Sequence, residues 1–113
     1  MIQNILPPII NEEACVLIVG SMPGVQSLEK QQYYGNPRNH FWTIIGQILE
    51  VDFPSDYGAR LQLLQQHRIA LWDVIKECER VGSLDSNIKA EVPNDFETML
   101  TRYPNIEAIA FNG

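Results

Sequence analysis

The segment between residues 20 and 42 concentrates side chains that could bind a flat, polar ligand. It begins with the loop GSMPG (Gly20–Gly24) and ends with the run YYGNPRNHFW (residues 33–42). That run holds two tyrosines, two asparagines, an arginine, a histidine, a phenylalanine and a tryptophan. A planar heterocycle is held by aromatic stacking together with hydrogen bonds to its edges, and this composition supplies both. We therefore expect a pocket for such a ring.

Strands and helices must bring these residues together. Three apolar runs predict strands: Cys15–Val19, directly before the glycine loop, Ile69–Ile75 and Ile106–Phe111. The first is rich in β-branched residues with no polar alternation, which favours a strand buried on both faces of a parallel sheet. A Gly/Pro loop at the carboxyl end of such a strand lies where α/β sheets form their binding crevice.

Helices are predicted between the strands. One opens at Asn39 and carries an apolar stripe at helical spacing, and a second is capped by Asp56. A third begins at Pro93 and Asn94, with Glu97 placed as in a capping box. The stripe of the first helix consists of Phe41, Ile44, Ile45, Ile48 and Leu49.

The order of elements predicts the fold class. Strand, two helices, strand, helix and strand give an α/β protein, a three-layer αβα arrangement around a doubly wound, mainly parallel central sheet. Residues 77–88 show no period and are interpreted as a long loop. Residues 1–113 form one domain, and a sheet that stops after its third strand would leave an edge uncovered. We therefore expect a fourth strand after residue 113, in a longer chain.

Bulk composition narrows the class of protein. The chain has 113 residues, 45% of them hydrophobic, and a net charge of −6. This acidity argues against a broad nucleic-acid-binding surface, which is normally basic. The segment from Gly20 to Ile48, however, contains only Glu29, Lys30 and Arg38 as charged residues, so local contact with DNA stays open.

Location and cofactors follow from what the sequence contains. The first residues lack the basic start and apolar core of a signal peptide, and no apolar run is long enough to span a bilayer, so we expect a cytoplasmic protein without membrane contact. Cys15 and Cys78 fit free thiols in a reducing compartment. Two cysteines cannot hold a four-cysteine iron–sulfur cluster, and no spacing suggests a metal site. No cofactor is expected.

Four blocks of the sequence resemble the uracil-DNA glycosylase superfamily. They are GSMPG, YYGNPRNHFW, LWDVIKECERVGSLDSNI and AFNG, in the family order, over residues 16–113. The likeness is strongest to the hypoxanthine-DNA glycosylase branch, the neighbour of the mismatch-specific uracil/thymine glycosylases. It implies a monofunctional hydrolase that cleaves the N-glycosidic bond of a deaminated base flipped out of DNA, hypoxanthine ahead of uracil. It also implies a further Ser/Pro loop, beyond residue 113, that enters the duplex.

The resemblance also assigns roles to residues. Met22 stands where the mismatch-specific relatives carry their water-positioning Asn. The resemblance to the hypoxanthine branch implies that an Asn directly before the His-Phe-Trp of the second block, here Asn39, orients the attacking water instead. Tyr34 matches the aromatic that stacks on the flipped base, and Asp73 occupies the position of a base-reading Asn. The whole set implied to bind the base is Gly20, Ser21, Met22, Pro23, Gly24, Tyr34, Asp73 and Asn112, with Arg38 and His40 as candidate phosphate contacts.

Structural alternatives to these roles stay open. Asn39 lies at a helix start, where Asn is a favoured cap. Tyr33 and Tyr34 could anchor a loop in the core, and Arg38 could be a solvated charge. Phe41, Trp42 and Trp72 are expected in the core. Ser83, Asp85 and Ser86 are interpreted as turn residues.

Two other functions compete with the enzyme. The Gly20–Gly24 loop could hold a nucleotide phosphate in a non-catalytic nucleotide- or DNA-binding module, although it lacks both standard phosphate-loop patterns. A degenerate relative kept as an interaction domain would also fit the acidic composition.

Overall fold

Two three-stranded β-sheets and four α-helices make up the computed structural model, which describes residues 2–112. The elements are β1 (Ile2–Gln3), β2 (Val16–Gly20), α1 (Val25–Lys30), α2 (Phe41–Leu49), α3 (Tyr57–Gln66), β3 (Ile69–Asp73), β4 (Ile75–Glu79), β5 (Lys89–Pro93), α4 (Phe96–Arg102) and β6 (Ala108–Phe111).

The three strands predicted from apolar runs form one parallel sheet. β2 lies in the centre, with β3 on one side and β6 on the other. Leu17 pairs with Ala70 of β3 and with Ile109 of β6, and Gly20 pairs with Asp73. The carboxyl ends of all three strands therefore meet at one edge, where the glycine loop begins.

The second sheet corrects the predicted fold class. β1, β4 and β5 pair in antiparallel fashion, so the protein is a mixed α/β fold and its strands do not form a single, mainly parallel, doubly wound sheet. The segment 77–88, predicted as loop, contains the end of β4. Charged residues dominate these strands, and irregular register between β4 and β5 breaks the two-residue alternation that would have revealed them.

Helices cover both faces of β2 and β3, whereas β6 is exposed. On one face Ile18 and Leu71 pack against Trp42 and Ile45 of α2 and Leu64 of α3. On the other face, Met99 of α4 packs against buried residues of the same strands, Leu17, Val19 and Ala70. Apolar side chains from neighbouring strand positions point to opposite faces, so one five-residue strand supplies both cores.

The helix predictions hold in outline and differ in detail. Asp56 caps α3, its Oδ2 accepting from the Ala59 N–H at 2.9 Å. α4 is capped by Asp95 rather than Asn94, because Asp95 accepts from the Thr98 N–H at 3.0 Å. The short helix α1 was not predicted.

The buried face of α2 is rotated from the predicted stripe. Phe41, Trp42 and Ile45 are buried as part of the core, whereas Ile44 and Ile48 are 53% and 69% exposed. Trp42 is the larger side chain, and it takes the inward position between α3 and the sheet. Trp72 is half-buried and packs beside Phe96 on the other face. Of the helices in residues 2–112, none combines the length and the apolar character that a bilayer crossing requires.

Candidate active site at the carboxyl ends of the parallel strands

A cleft of about 330 Å³ opens at the carboxyl edge of the parallel sheet. Its walls come from the loop after β2, the segment before α2, the ends of β3 and β6, and the connection between β4 and β5. Its size falls in the usual range of small-molecule sites. Every residue singled out from the sequence as a site residue lines it except Arg38: Gly20, Ser21, Met22, Pro23, Gly24, Tyr34, Asn39, His40, Asp73 and Asn112.

Gly20 lies at a crowded point of this cleft. A Cβ atom at Gly20 would lie 2.7 Å from the Asp73 Oδ1 atom, 3.6 Å from the Tyr34 hydroxyl and 3.7 Å from the Asn112 carbonyl oxygen. Three residues distant in sequence thus converge on one α-carbon. Only a glycine allows the Asp73 carboxylate to approach the backbone this closely.

The Asp73 carboxyl group is buried at the end of β3, with 4% of the residue exposed. The Asn4 side-chain amide donates to its Oδ2 at 3.0 Å, and the Gly20 backbone N–H also bonds it. Burial raises the pKa of Asp73 to about 6; both hydrogen bonds oppose this shift, and the nearby Asp85 adds to it. Burial outweighs the two donors, because removing a carboxylate from water disfavours its charged form.

This raised pKa predicts a pH dependence of stability. The folded carboxyl has a pKa of about 6 against its ordinary 3.8, so between these values the folded protein binds a proton that the unfolded chain releases. The Asp73 contribution is therefore complete below about pH 4 and is lost as the pH rises through 6, a change of roughly 3 kcal/mol. Asp73→Asn is expected to remove this part of the pH dependence, measured by urea unfolding from pH 4.5 to 7.5.

Asp95→Asn provides the control for that experiment. Its exposed carboxyl accepts from Thr98, which lowers the pKa of Asp95, so its contribution appears above the unfolded pKa and is lost as the pH falls. Between pH 4.5 and 7.5 Asp95 is ionised in both the folded and the unfolded protein, so Asp95→Asn should leave the slope nearly unchanged, whereas Asp73→Asn should change it. Parallel curves for Asp73→Asn and the unmodified protein would contradict the assignment.

Tyr34 presents an aromatic ring to the cleft. Its ring stacks on Phe41, with the centroids 3.8 Å apart and the planes 14° from parallel. Its backbone φ of 53° lies in the left-handed region, which is strained for a bulky residue and is often found at functional sites. Burial raises the pKa of Tyr34 to about 12, while a hydrogen bond with the Asn112 side chain opposes the shift.

The neighbouring Tyr33 has a different position. It is 3% exposed in the core, and its hydroxyl donates to the Pro7 carbonyl oxygen at 2.9 Å. Its backbone N–H donates to the Tyr57 hydroxyl at 2.9 Å. Burial strongly raises its pKa. Of the adjacent tyrosines, Tyr33 anchors the segment and Tyr34 offers the more accessible ring.

Asn39 lies exposed at the mouth of the cleft, immediately before α2. His40 occupies the formal N-cap position, yet the Asn39 Oδ1 accepts from the Phe41 N–H at 2.8 Å. The side chain therefore supports the helix start and faces the cleft at once. This hydrogen bond fixes the amide plane, while a carbonyl oxygen retains a second lone pair and the amide nitrogen two donor hydrogens.

Other predicted site residues take distinct positions. Met22 lines the cleft but is only 7% exposed, packed with Ile75 and Cys78 between the loop and the second sheet. Arg38 is exposed and lies outside the cleft lining, in a turn where Asn36 Oδ1 accepts from its N–H at 3.0 Å.

The sequence analysis missed part of the wall. Ser83 and Asp85, interpreted as turn residues, line the cleft from the β4–β5 connection. Asn4, which fixes Asp73, also carried no signal, because it comes from the opposite end of the chain. A cluster of serine and aspartate in a stretch without periodicity was the available hint for the first two.

A second cleft, of about 480 Å³, lies between α2, α3 and the segment that joins them. It is larger, but it gathers none of the predicted residues, so we place the candidate site in the smaller cleft. Within residues 2–112 there is no group of three His, Cys, Asp or Glu side chains that could hold a metal ion.

Comparisons with known proteins give close relatives. The chain is 44% identical over 108 residues to a hypoxanthine DNA glycosylase of Methanosarcina barkeri, covering 95% of this chain and 68% of that protein. It is 41% identical to a hypoxanthine DNA glycosylase of Methanosarcina acetivorans, covering all of this chain and 72% of the relative. No family model matches the chain.

A solved structure shares the fold. It is the solution NMR structure of a Methanosarcina acetivorans protein proposed to be a uracil DNA glycosylase. The match has a TM-score of 0.89 and 41% identity and covers all of this chain and 71% of the other.

Proposed function

The chain belongs to the hypoxanthine-DNA glycosylase branch of the uracil-DNA glycosylase superfamily, and we propose that it hydrolyses the N-glycosidic bond of a deaminated base, hypoxanthine ahead of uracil, in DNA. One observation from the structure carries the proposal. The Asn39 amide, held by a hydrogen bond, and the Tyr34 ring both line the cleft. Gly20, Asp73 and Asn112 come together at the floor of the same cleft. This arrangement offers an amide for a water, a ring for stacking and polar groups for a base edge.

The reaction defines what the residues must do. The oxygen of water bonds to C1′ of the deoxyribose, the bond from C1′ to the base nitrogen breaks, and its electron pair leaves with the base. The water loses one proton and the departing base takes up one, which leaves a hydroxyl at C1′ and the free base. Positive charge develops on the sugar and negative charge on the base in the transition state. The protein accelerates this step by placing the water, hydrogen-bonding the departing base and excluding bulk solvent.

Asn39 is proposed to place the water. Its Oδ1 is held by the Phe41 N–H and has a lone pair left to accept from a water, while its NH₂ group can donate to substrate oxygen. A neutral amide is a poor base, so its contribution is orientation rather than proton abstraction. The remaining acceleration must come from stabilising the leaving base.

Tyr34 is proposed to stack on the flipped base. Contact with Phe41 stiffens its ring and covers one face. Stacking of a base on an aromatic ring contributes about 1–3 kcal/mol, comparable to the few kcal/mol that flipping requires. A mispaired hypoxanthine is flipped more easily than a paired base, and selectivity follows in part from this difference.

The edge of the base is proposed to meet Asp73, Asn112 and the Gly20–Gly24 loop. A carboxylate accepts from ring N–H groups, and Asp73 keeps acceptor capacity beyond its bonds to Asn4 and Gly20. Ser21, Met22 and Pro23 complete this wall, Met22 with a largely buried side chain.

Arg38 and His40 are proposed to contact phosphates. Both are exposed near the mouth, within the segment whose positive charges outnumber its negative ones. Such contacts position the DNA without reading its sequence. We also propose a cytoplasmic location, which the free thiols of Cys15 and Cys78 support.

Excision from defined oligonucleotides tests the function. Duplexes with a single hypoxanthine, a single uracil or neither are incubated with the protein and then treated with alkali, which breaks DNA at abasic sites. We expect strand breaks with hypoxanthine, fewer with uracil and none in undamaged DNA. Intact hypoxanthine and uracil strands, together with a thermal shift caused by free nucleotides alone, would support a nucleotide-binding module instead.

A further inference from the structure

Arg80, the residue after β4, is a buried cation close to the cleft. It is 8% exposed, its Nε donates to the Gly82 carbonyl oxygen at 2.7 Å, and its Nη2 donates to the Pro23 carbonyl oxygen at 2.7 Å. Its Nη1 is buried and has no hydrogen-bond partner among residues 2–112. Burying a charge with incomplete hydrogen bonding is costly, so a residue of this kind calls for a reason beyond packing.

The two carbonyl groups belong to two different segments, both of which contribute residues to the cleft wall. Pro23 lies in the Gly20–Gly24 loop, and Gly82 lies in the β4–β5 connection, which contributes Ser83 and Asp85 to the lining. Pro23 is 57 residues away from Arg80 in the sequence, whereas Gly82 is only two residues away. One guanidinium therefore joins the two segments.

A second contact joins the same two segments. The Val25 N–H at the start of α1 donates to the Ser83 Oγ at 2.9 Å. A Cβ on Gly24 would lie 3.3 Å from the same oxygen, so the segments are in close contact beside this bond. The bond satisfies one of the N–H groups that a helix start leaves unpaired.

The end of the glycine loop has few other means of being fixed. The beginning of the loop is held by two backbone hydrogen bonds. The Val74 N–H donates to the Gly20 carbonyl oxygen at 2.7 Å, and the N–H of Ile75, the first residue of β4, donates to the Ser21 carbonyl oxygen at 3.0 Å. Pro23 has no N–H, so its carbonyl is its single backbone hydrogen-bonding group, and Arg80 bonds it. Arginine suits this position, since its planar fork can serve two acceptors at once, which a lysine ammonium on one flexible stem does less well.

We propose that Arg80 is a positioning residue of the active site, which ties the Gly20–Gly24 loop to the β4–β5 connection and so holds the loop in its place in the cleft wall. The inference rests on the proposed function for its kinetic consequence. Arg80 acts through the loops and not on the base, so its loss lowers the rate of bond cleavage while DNA affinity is kept.

Arg80→Met and Arg80→Lys test this proposal, with Arg102→Met as the matched control. Arg102 is an exposed arginine of α4 away from the cleft, so its replacement removes the same charge without touching either segment. Single-turnover excision of hypoxanthine and the Kd for the same DNA are measured for each. We expect Arg80→Met to slow excision about 10-fold at a Kd within twofold of the unmodified protein, with Arg80→Lys between them.

Amide hydrogen exchange gives a readout that does not depend on activity. The Val25 amide and the first turn of α1 should lose protection in both Arg80 variants and keep it in Arg102→Met. If Arg80→Met does not fold, Arg80→Lys decides, because it keeps the charge and the apolar stem. Unmodified rate and Val25 protection in Arg80→Lys would then overturn the proposal.

Other outcomes also discriminate. An unchanged rate with a weaker, salt-dependent Kd would make Arg80 a phosphate contact and overturn the positioning role. If the unmodified protein excises no base at all, the proposed function fails, while the exchange experiment still tests whether Arg80 holds the two segments together.

Discussion

Replacing Asn39 with alanine is expected to slow hypoxanthine excision by roughly 100- to 1,000-fold, the loss that accompanies removal of one well-placed polar group from a catalytic site. The amide lines the cleft and its orientation is fixed by the Phe41 N–H. Without it, a water near the sugar has no fixed acceptor. The measurement is the single-turnover rate on a duplex with one hypoxanthine, with the protein in saturating excess over the DNA.

The same side chain supports the start of α2, so stability and catalysis must be separated. Losing one hydrogen bond of this kind costs about 0.5–1.5 kcal/mol. Asn39→Ser keeps an oxygen that can accept from the helix start but removes the amide, so it should retain stability and lose the rate. Asn11→Ala is the matched control, because Asn11 Oδ1 accepts from the Glu13 N–H at 3.0 Å in a similar turn outside the cleft. If Asn39→Ser excises hypoxanthine as fast as the unmodified protein, the Asn39 amide has no catalytic role and Asn39 only supports the helix start.

Replacing Gly20 with alanine is the second change with a large expected effect. The new methyl group would lie 2.7 Å from Asp73 Oδ1, too close for any real contact, and near the Tyr34 hydroxyl. The Asp73 carboxylate must then move, which weakens its hydrogen bond with Asn4. The added methyl group and the displaced carboxylate also narrow the floor of the cleft. We expect excision to fall roughly 100-fold, since displacements of about 1 Å produce losses of this size. Overpacking should also lower stability by about 1–3 kcal/mol, measured by urea unfolding.

A glycine elsewhere controls for this substitution. Gly58 in α3 is exposed, and its added Cβ would approach only Asp56 Oδ2, at an ordinary 3.4 Å. Gly58→Ala should therefore keep the rate and leave stability equal or higher, because alanine favours a helix. If the contact with Asp73 is the cause, Asp73→Ala should relieve part of the destabilisation in the Gly20→Ala background. Strictly additive effects in that double variant would contradict the steric explanation.

Local sequence predicted the parallel half of the fold. The runs around Leu17, Leu71 and Ile109 are apolar enough to indicate strands without reference to the rest of the chain. Of these strands β2 and β3 are largely buried, whereas β6 is exposed. The start of α3 was predictable from Asp56, because a helix cap joins residues only three positions apart and therefore depends on local sequence. The antiparallel sheet could not be predicted in this way, since charged residues interrupt the apolar pattern of β4 and β5 and the two strands pair in irregular register.

The candidate site, too, was predictable only in part from the sequence. The sequence by itself indicated which residue types gather around the glycine loop, because aromatic and amide side chains are dense there and the blocks resemble a known family. The tertiary structure alone decided that Tyr33 is buried in the core while Tyr34 keeps a partly exposed ring at the cleft, and that Asn4 and Arg80 fix Asp73 and Pro23. These contacts join positions 57 and 69 residues apart, and distances of that kind are set by how the sheets pack rather than by any local pattern.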